Sequence, residues 1–208
     1  MNWRDVVAGV LGTDPLEQAA ALFGVIGVWL SVKEKVWAWP AGIVNVSLYA
    51  IVFWRARLYA DTGLQVVYLV LSIYGWYEWL YGGANRTALR VTRTPPREAA
   101  LLAAAAVLLA LAMGTALSRG TDASLPWLDS SLTAASLAAQ WLLTRKRLEN
   151  WLVWIAADAV YVGMFLYKGL RLTAVLYAIF LVLAVLGLRE WRRSLRAAAA
   201  SGAAPRAA

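Results

Sequence analysis

The sequence predicts an all-α integral membrane protein with seven transmembrane helices arranged 3+1+3: two parallel-oriented three-helix repeats joined by a linker helix. The first observation behind this is composition. Hydrophobic residues make up 62% of the chain and charged residues 15%, whereas charged residues are about a quarter of an ordinary soluble domain. The second is where the charges fall. Lysines and arginines sit at the ends of apolar runs, so the net charge of +8 reads as membrane topology and no nucleic-acid partner is expected. The third is an internal repeat. Displacing the sequence by 112 residues without a gap pairs Trp39 with Trp151, Tyr49 with Tyr161, Phe53 with Phe165, Gly75 with Gly187, Glu78 with Glu190 and Trp79 with Trp191. Residues 39–79 give twelve identities in this register, where composition alone gives about four. Upstream, Leu16, Trp29 and Leu30 meet Leu128, Trp141 and Leu142, so the repeat units are about 16–79 and 128–191.

Asp14-Pro15 supplies an N-cap and a first helical residue for a span from Leu16 to Val32, which Lys33-Glu34-Lys35 ends. No cleavable signal precedes it in Met1 to Thr13. The second span, Trp37 to Trp54, carries Pro40 and Gly42 in its first turns, where a missing N–H costs least. Arg55 to Asp61 reads as a loop. Leu64 to Tyr81 is the third span, closed by an aromatic cluster suited to the headgroup level and by Gly82-Gly83. A basic stretch with Pro95-Pro96 leads into an Ala/Leu linker span from Ala99 to Leu117, and Arg119 to Pro126 turns the chain. Spans five to seven are Leu128 to Leu143, Trp151 to Tyr167 and Leu172 to Leu188, each near the ~20 residues a bilayer requires. From Ala197 onward the tail is low in complexity and expected to be disordered. The chain thus divides into an N-terminal extracytoplasmic segment (1–15), a first repeat (16–82), a basic cytoplasmic connector (83–98), a linker helix (99–118), a second repeat (128–191) and a cytoplasmic tail (192–208). Alternating the loops puts fourteen Lys and Arg on one side and six on the other, so the N-terminus is expected outside and the C-terminus inside.

Polar residues inside such spans are costly and mark function by default. Trp151, Trp154, Asp158 and Tyr161 follow i, i+3, i+7, i+10 spacing, so two indoles, a carboxylate and a phenol share one helical face, with Asn150 at its start. That face suits an aromatic cation, because indole faces attract it and a carboxylate balances it. Asn45 and Tyr49, with Trp39 before them, line one face of span two, while Gln65, Tyr68 and Ser72 line one face of span three. Gln140 adds a further amide in span five. Carboxamides both donate and accept, which matches the hydroxyls and amide of a sugar-bearing ligand. Each of these residues also has a structural reading, as an interhelical hydrogen bond, a cap or a belt aromatic. Trp76, Trp79, Trp141 and Trp191 are expected to serve as belt or packing residues, and Glu78 and Glu190 as solvated ion pairs.

With no histidine and no cysteine, the chain offers neither the usual general base nor thiolate metal ligands, and no cofactor is expected. A membrane-embedded enzyme would need a nucleophile, metal cage or acid–base pair that the sequence does not assemble. A non-transporting scaffold would leave the buried amides and the Trp-x-x-Trp face without purpose. A two-fold pseudosymmetric bundle of parallel repeats is instead a common plan for a small-molecule carrier with its site between the repeats.

Trp39-Pro-Ala-Gly-Ile-Val-Asn-Val-Ser-Leu-Tyr49, Leu58-Tyr-Ala-Asp61 with Leu64-Gln65, Tyr74-Gly-Trp-Tyr-Glu-Trp79 and Glu149-Asn-Trp-Leu-Val-Trp-Ile-Ala-Ala-Asp158 resemble the PnuC family of bacterial vitamin transporters, the nicotinamide riboside branch above all. The resemblance covers about residues 16–193. It implies a fold related to SWEET sugar carriers, a homotrimer in the inner membrane, and facilitated diffusion of nicotinamide riboside followed by phosphorylation by a separate cytoplasmic kinase. It also implies that Trp151 and Trp154 stack on the nicotinamide ring and that Asn45 and Gln65 serve the ligand from the first repeat. Thiamine, riboflavin and deoxynucleosides are the alternative cargoes that family implies. The absence of histidine and of paired buried carboxylates argues against ion coupling, and Pro40, Gly42 and Gly163 are candidate flexing points for a rocking motion.

Overall fold

A computed structural model describes residues 14–121 and 125–201; the expectations for Met1 to Thr13 and for the end of the tail lie outside the described residues. Among the described residues seven α-helices follow in order: α1 (Pro15–Val32), α2 (Ala38–Arg55), α3 (Tyr59–Tyr81), α4 (Pro96–Gly120), α5 (Pro126–Thr144), α6 (Asn150–Tyr167) and α7 (Arg171–Ala200). A 3-10 turn, Ala84–Arg86, lies between α3 and α4. Asp14 caps α1 as its position before a proline predicts, its carboxylate accepting from the Leu16 N–H at 2.8 Å. Helices α1, α4, α6 and α7 are long and apolar enough to cross a bilayer on composition alone. Of the remaining three, α3 and α5 are the helices richest in aromatic, hydroxyl and amide side chains, which lowers their hydropathy.

Helix α4 exceeds the expected Ala99 to Leu117 span by three residues at each end, and two other boundaries move further. The stretch after Arg55 is shorter than a seven-residue loop, because Thr62 Oγ1 donates to the Leu58 carbonyl at 2.9 Å and the helix is already formed at Tyr59. At the other end α7 continues through Arg189 to Ala200, the alanine run extending the helix by its high intrinsic propensity where a disordered tail was expected.

Helices α1, α2 and α3 pack in sequence, as do α5, α6 and α7, while α1 meets α7 and α3 meets α5 across the repeats. Helix α4 packs on α5 and turns Leu101, Val107 and Leu108 outward, as a lipid-facing linker should. The two halves obey the 112-residue register in atomic detail. Trp79 Nε1 donates to the Leu143 carbonyl at 3.0 Å, and its mate Trp191 Nε1 donates to the Ser31 carbonyl, the mate of Leu143, also at 3.0 Å. Glu78 pairs with Arg145 at 3.0 Å, and the mates Glu190 and Lys33 pair at 3.2 Å. Glu34 and Lys146, themselves mates, meet at 2.8 Å. Even the left-handed backbone positions recur, Glu34 with Lys146 and Arg57 with Gly169. Each helix-end acid therefore reaches the opposite repeat, and the exchange is that of a pseudo-two-fold axis between them.

Candidate substrate path and connector-side gate

Near the axis, at the end where the α1–α2 and α5–α6 loops lie, four tryptophans close the bundle. Trp39 and Trp79 meet edge to face at 5.4 Å, Trp151 and Trp191 do the same at 5.4 Å, and Trp79 faces Trp191 across the axis at 5.9 Å. All four are nearly or fully buried. Their approach depends on Gly75 and Gly187: a Cβ on Gly75 would land on the Trp39 ring, and one on Gly187 on the Trp151 ring. The expectation for Trp79 and Trp191 resolves to packing, not to a belt, and Glu78 and Glu190 are cross-repeat ties. Lys33 holds the Glu190 carboxyl below its ordinary range by direct hydrogen bonding and charge. That tie is present at neutral pH and is lost as pH falls through the lowered value.

The basic connector seals this end from one side. Thr92 exchanges backbone hydrogen bonds with the α5–α6 loop, donating to the Lys146 carbonyl at 3.2 Å and accepting from the Leu148 N–H at 2.9 Å. Lys146 Nζ donates to the Leu89 carbonyl at 3.0 Å and lies 4.8 Å from the centre of the Trp79 ring. Val91 joins the tryptophan core at 4% exposure, so the connector is a packed strap and not only a charged linker. Glu149 accepts from both the N–H and the hydroxyl of Thr94, and Arg147 pairs with Glu98.

Whether this closed end opens has a simple test, made clean by the absence of cysteine from the chain. A cysteine placed at Ala38, which is 5% exposed, is expected to label at least about threefold faster in a Glu78→Arg background, since the introduced guanidinium then repels Arg145 across the repeats. Adding Arg145→Glu restores the pair with reversed polarity and should return labelling to its starting rate. Equal rates in all three proteins would remove the gating role of the pair.

Beyond the tryptophans, toward the opposite end, aromatic hydroxyls gather around one acid. Asp158 is 3% exposed and has no hydrogen bond or ion pair among the described residues. It lies near the phenols of Tyr161 and Tyr177. Tyr161 and Tyr177 lie 4.6 Å apart, Phe165 and Phe180 extend the cluster, and the Ser136 hydroxyl faces Tyr68 and Tyr161 from α5. Tyr49 stacks on Phe53 at 5.6 Å, matching the stack of its mate Tyr161 on Phe165 at 5.8 Å. Past them, Glu17 faces Tyr49 and its mate Asp129 faces Tyr161, while the basic residues of that end, Arg55, Arg57, Lys168 and Arg171, are exposed.

The ten residues expected to meet a ligand separate into three groups. Tyr49, Tyr68 and Asp158 belong to the phenol cluster, and Trp154 lies half-buried four residues before Asp158. Asn45 sits at the rim of this region beside Phe180 and Gly24, but its Nδ2 donates to the Ala20 carbonyl at 2.6 Å. Gln65 and Gln140 are half-buried and make no side-chain hydrogen bond among the described residues. Trp39 and Trp151 are in the tryptophan cluster, and their Nε1 atoms are buried without partners. Asn150 is fully buried at the same end, donating to the Arg147 carbonyl at 2.6 Å while its Oδ1 is left without a donor. Tyr177 and Ser136 were not singled out from sequence. The register points to Tyr177, the mate of the candidate Gln65, but not to Ser136, whose mate Gly24 carries no polar group.

A family model described as "Nicotinamide mononucleotide transporter" matches residues 14–193. The nicotinamide riboside transporter PnuC of Escherichia coli K12 is 28% identical over 206 residues, covering 87% of this chain and 86% of that protein. The riboflavin/roseoflavin transporter RibM of Streptomyces davaonensis is 26% identical over 200 residues, covering 92% of each. Among solved structures, that of the vitamin B3 transporter PnuC superposes with a TM-score of 0.70 at 23% identity, covering 92% of this chain and 86% of that one, a likeness of fold. The family and these relatives are transporters and not enzymes. With 180 of its 208 residues inside the family match, its seven helices and its apolar spans, this chain belongs to the nicotinamide mononucleotide transporter family of membrane proteins.

Proposed function

We propose that the chain carries nicotinamide riboside across the inner membrane by facilitated diffusion, the two repeats rocking about a site at Asp158. The observation that carries this reading is an unpaired, buried carboxylate among phenols. A pyridinium cation would supply the missing charge, and the surrounding ring faces would favour it further. The same chemistry argues for the riboside over the mononucleotide, because among the described residues no lysine or arginine is buried near Asp158 to meet a phosphate. Asn45, Gln65 and Gln140 are the proposed partners of ribose and carboxamide. Trp154 is the better candidate for stacking, since Trp151 is packed against Gly187 and Trp191 in the closed gate. Trp39 and Asn150 would meet the ligand only as the gate opens.

The remaining parts of the reading are supported by resemblance and charge distribution. The basic connector side faces the cytoplasm, with the N-terminus outside, and the protein is a homotrimer. A separate cytoplasmic kinase traps the riboside by phosphorylation, which a carrier without ion coupling requires to accumulate its cargo beyond equilibration. Riboflavin is the second cargo to weigh, on the likeness to RibM, but a neutral flavin leaves Asp158 unbalanced.

The test is uptake of labelled nicotinamide riboside into proteoliposomes, with thiamine, riboflavin and nicotinamide mononucleotide as competitors and Trp154→Ala as a variant. Saturable uptake, blocked by excess unlabelled riboside and lowered about tenfold or more by the variant, is expected. Uptake blocked better by riboflavin or thiamine would keep the carrier and change its cargo.

A further inference from the structure

Helix α7 is 30 residues long, which at 1.5 Å per residue is about 45 Å, some 15 Å more than the hydrocarbon core of a bilayer. The surplus carries Arg189, Arg192, Arg193 and Arg196, spaced i, i+3, i+4, i+7 and therefore on one face. All four are exposed. Arg193 touches Glu190 at 3.3 Å from a side chain 78% exposed, and Glu190 is also tied to Lys33. Arg189, Arg192 and Arg196 make no ion pair among the described residues. The opposite face of the same turns is anchored. Leu188 and Trp191 are buried, Leu195 packs on the tryptophan core, and Ser194 and Ala198 border a cavity of about 380 Å³ shared with Thr87 to Val91 of the connector strap. A row of exposed arginines thus follows the apolar span on the back of the helix whose front packs on the tryptophan core.

We infer that this arginine face binds the headgroups of anionic phospholipids and so fixes the end of the gate helix in the membrane surface. Topology alone requires positive charge on this side but not its alignment along one face of an extended, anchored helix. Anionic headgroups supply the matching row of charge at the depth where the surplus begins, and guanidinium forks suit their phosphates.

The experiment is native mass spectrometry of the detergent-purified full chain with equimolar phosphatidylglycerol and phosphatidylcholine. The wild type is expected to retain phosphatidylglycerol preferentially, and Arg189→Gln/Arg192→Gln/Arg193→Gln/Arg196→Gln to lose that preference by about tenfold or more. Replacing Arg55, Arg57, Lys168 and Arg171 by glutamine at the opposite end is the control and should leave it intact. Raising salt weakens the wild-type preference if the contact is electrostatic, a readout that needs no variant to fold. A preference unchanged in the quadruple variant, reduced equally in the control, or insensitive to salt would overturn the inference. Free inorganic phosphate is added as a competitor; if it displaces the lipid at equal concentration, the face is a general anion site and not a lipid site. None of these outcomes depends on which solute is carried.

Discussion

Asp158→Asn is expected to weaken nicotinamide riboside binding by about ten- to hundredfold, the range for losing a charge-assisted contact in a desolvated site. The prediction follows from what the acid lacks. A carboxylate at 3% exposure with no hydrogen bond or ion pair among the described residues is destabilising in the empty protein. Such a cost is retained only where something else recovers it, and a cationic ligand does so on arrival. The amide keeps the shape and removes the charge, so a ligand role and a structural role part company in two measurements. Isothermal titration should show the loss of affinity, while the thermal midpoint of the unliganded variant stays level or rises. Had Asp158 served a hidden structural contact, the midpoint would fall and the ligand, once bound to the folded fraction, would bind as before. Wild-type affinity in Asp158→Asn would remove the acid from the site altogether.

Why Asp158 was visible in sequence and Tyr177 was not is a matter of how each signals. An acid inside an apolar span violates the composition around it, and α6 places Trp154 on the same face by simple periodicity. Tyr177 lies in a span where a tyrosine is unremarkable, and its role comes from a neighbour on another helix, Tyr161 at 4.6 Å. The fold was more legible than the site for the same reason. Seven spans and a 112-residue register are properties of one dimension, and the two repeats follow from them. The division of the tryptophans is not. Trp151 and Trp154 share a face, yet Gly187 draws Trp151 into the centre of the tryptophan cluster while Trp154 packs half-buried against its outside, one helical turn before Asp158. The strap was equally hidden, because a proline- and arginine-rich connector gives no sign that Thr92 will pair with the loop before α6 or that Val91 will be 4% exposed. Long-range pairing of this kind leaves no periodicity to read.

Gly187→Ala is expected to destabilise the packed tryptophan cluster by about 1–3 kcal/mol, the usual cost of overpacking a tight contact. The added methyl would fall on the Trp151 ring, whose edge is held in turn by Trp191, and Trp191 is fixed by its hydrogen bond to the Ser31 carbonyl. No flexible side chain stands in this line to absorb the displacement. Relief must therefore come from the indole itself, and Trp151→Phe provides it: the smaller ring vacates the space, and it also removes an Nε1 that is buried without an acceptor. The double variant Gly187→Ala/Trp151→Phe should recover most of the lost thermal stability, and the coupling between the two sites should exceed the scatter expected of independent positions, roughly 0.5 kcal/mol. The register adds a second arm. Gly75→Ala presses on Trp39 as Gly187→Ala presses on Trp151, so the two single variants should cost similar amounts and Trp39→Phe should rescue only the first. Because the tryptophans of both halves meet at Trp79 and Trp191, a methyl in either repeat also strains the contact on the axis. Faster labelling of a cysteine at Ala38 in both alanine variants would place the shared strain at the gate, whereas additive costs with no rescue by phenylalanine would show that the glycines matter for some reason other than the indoles they admit.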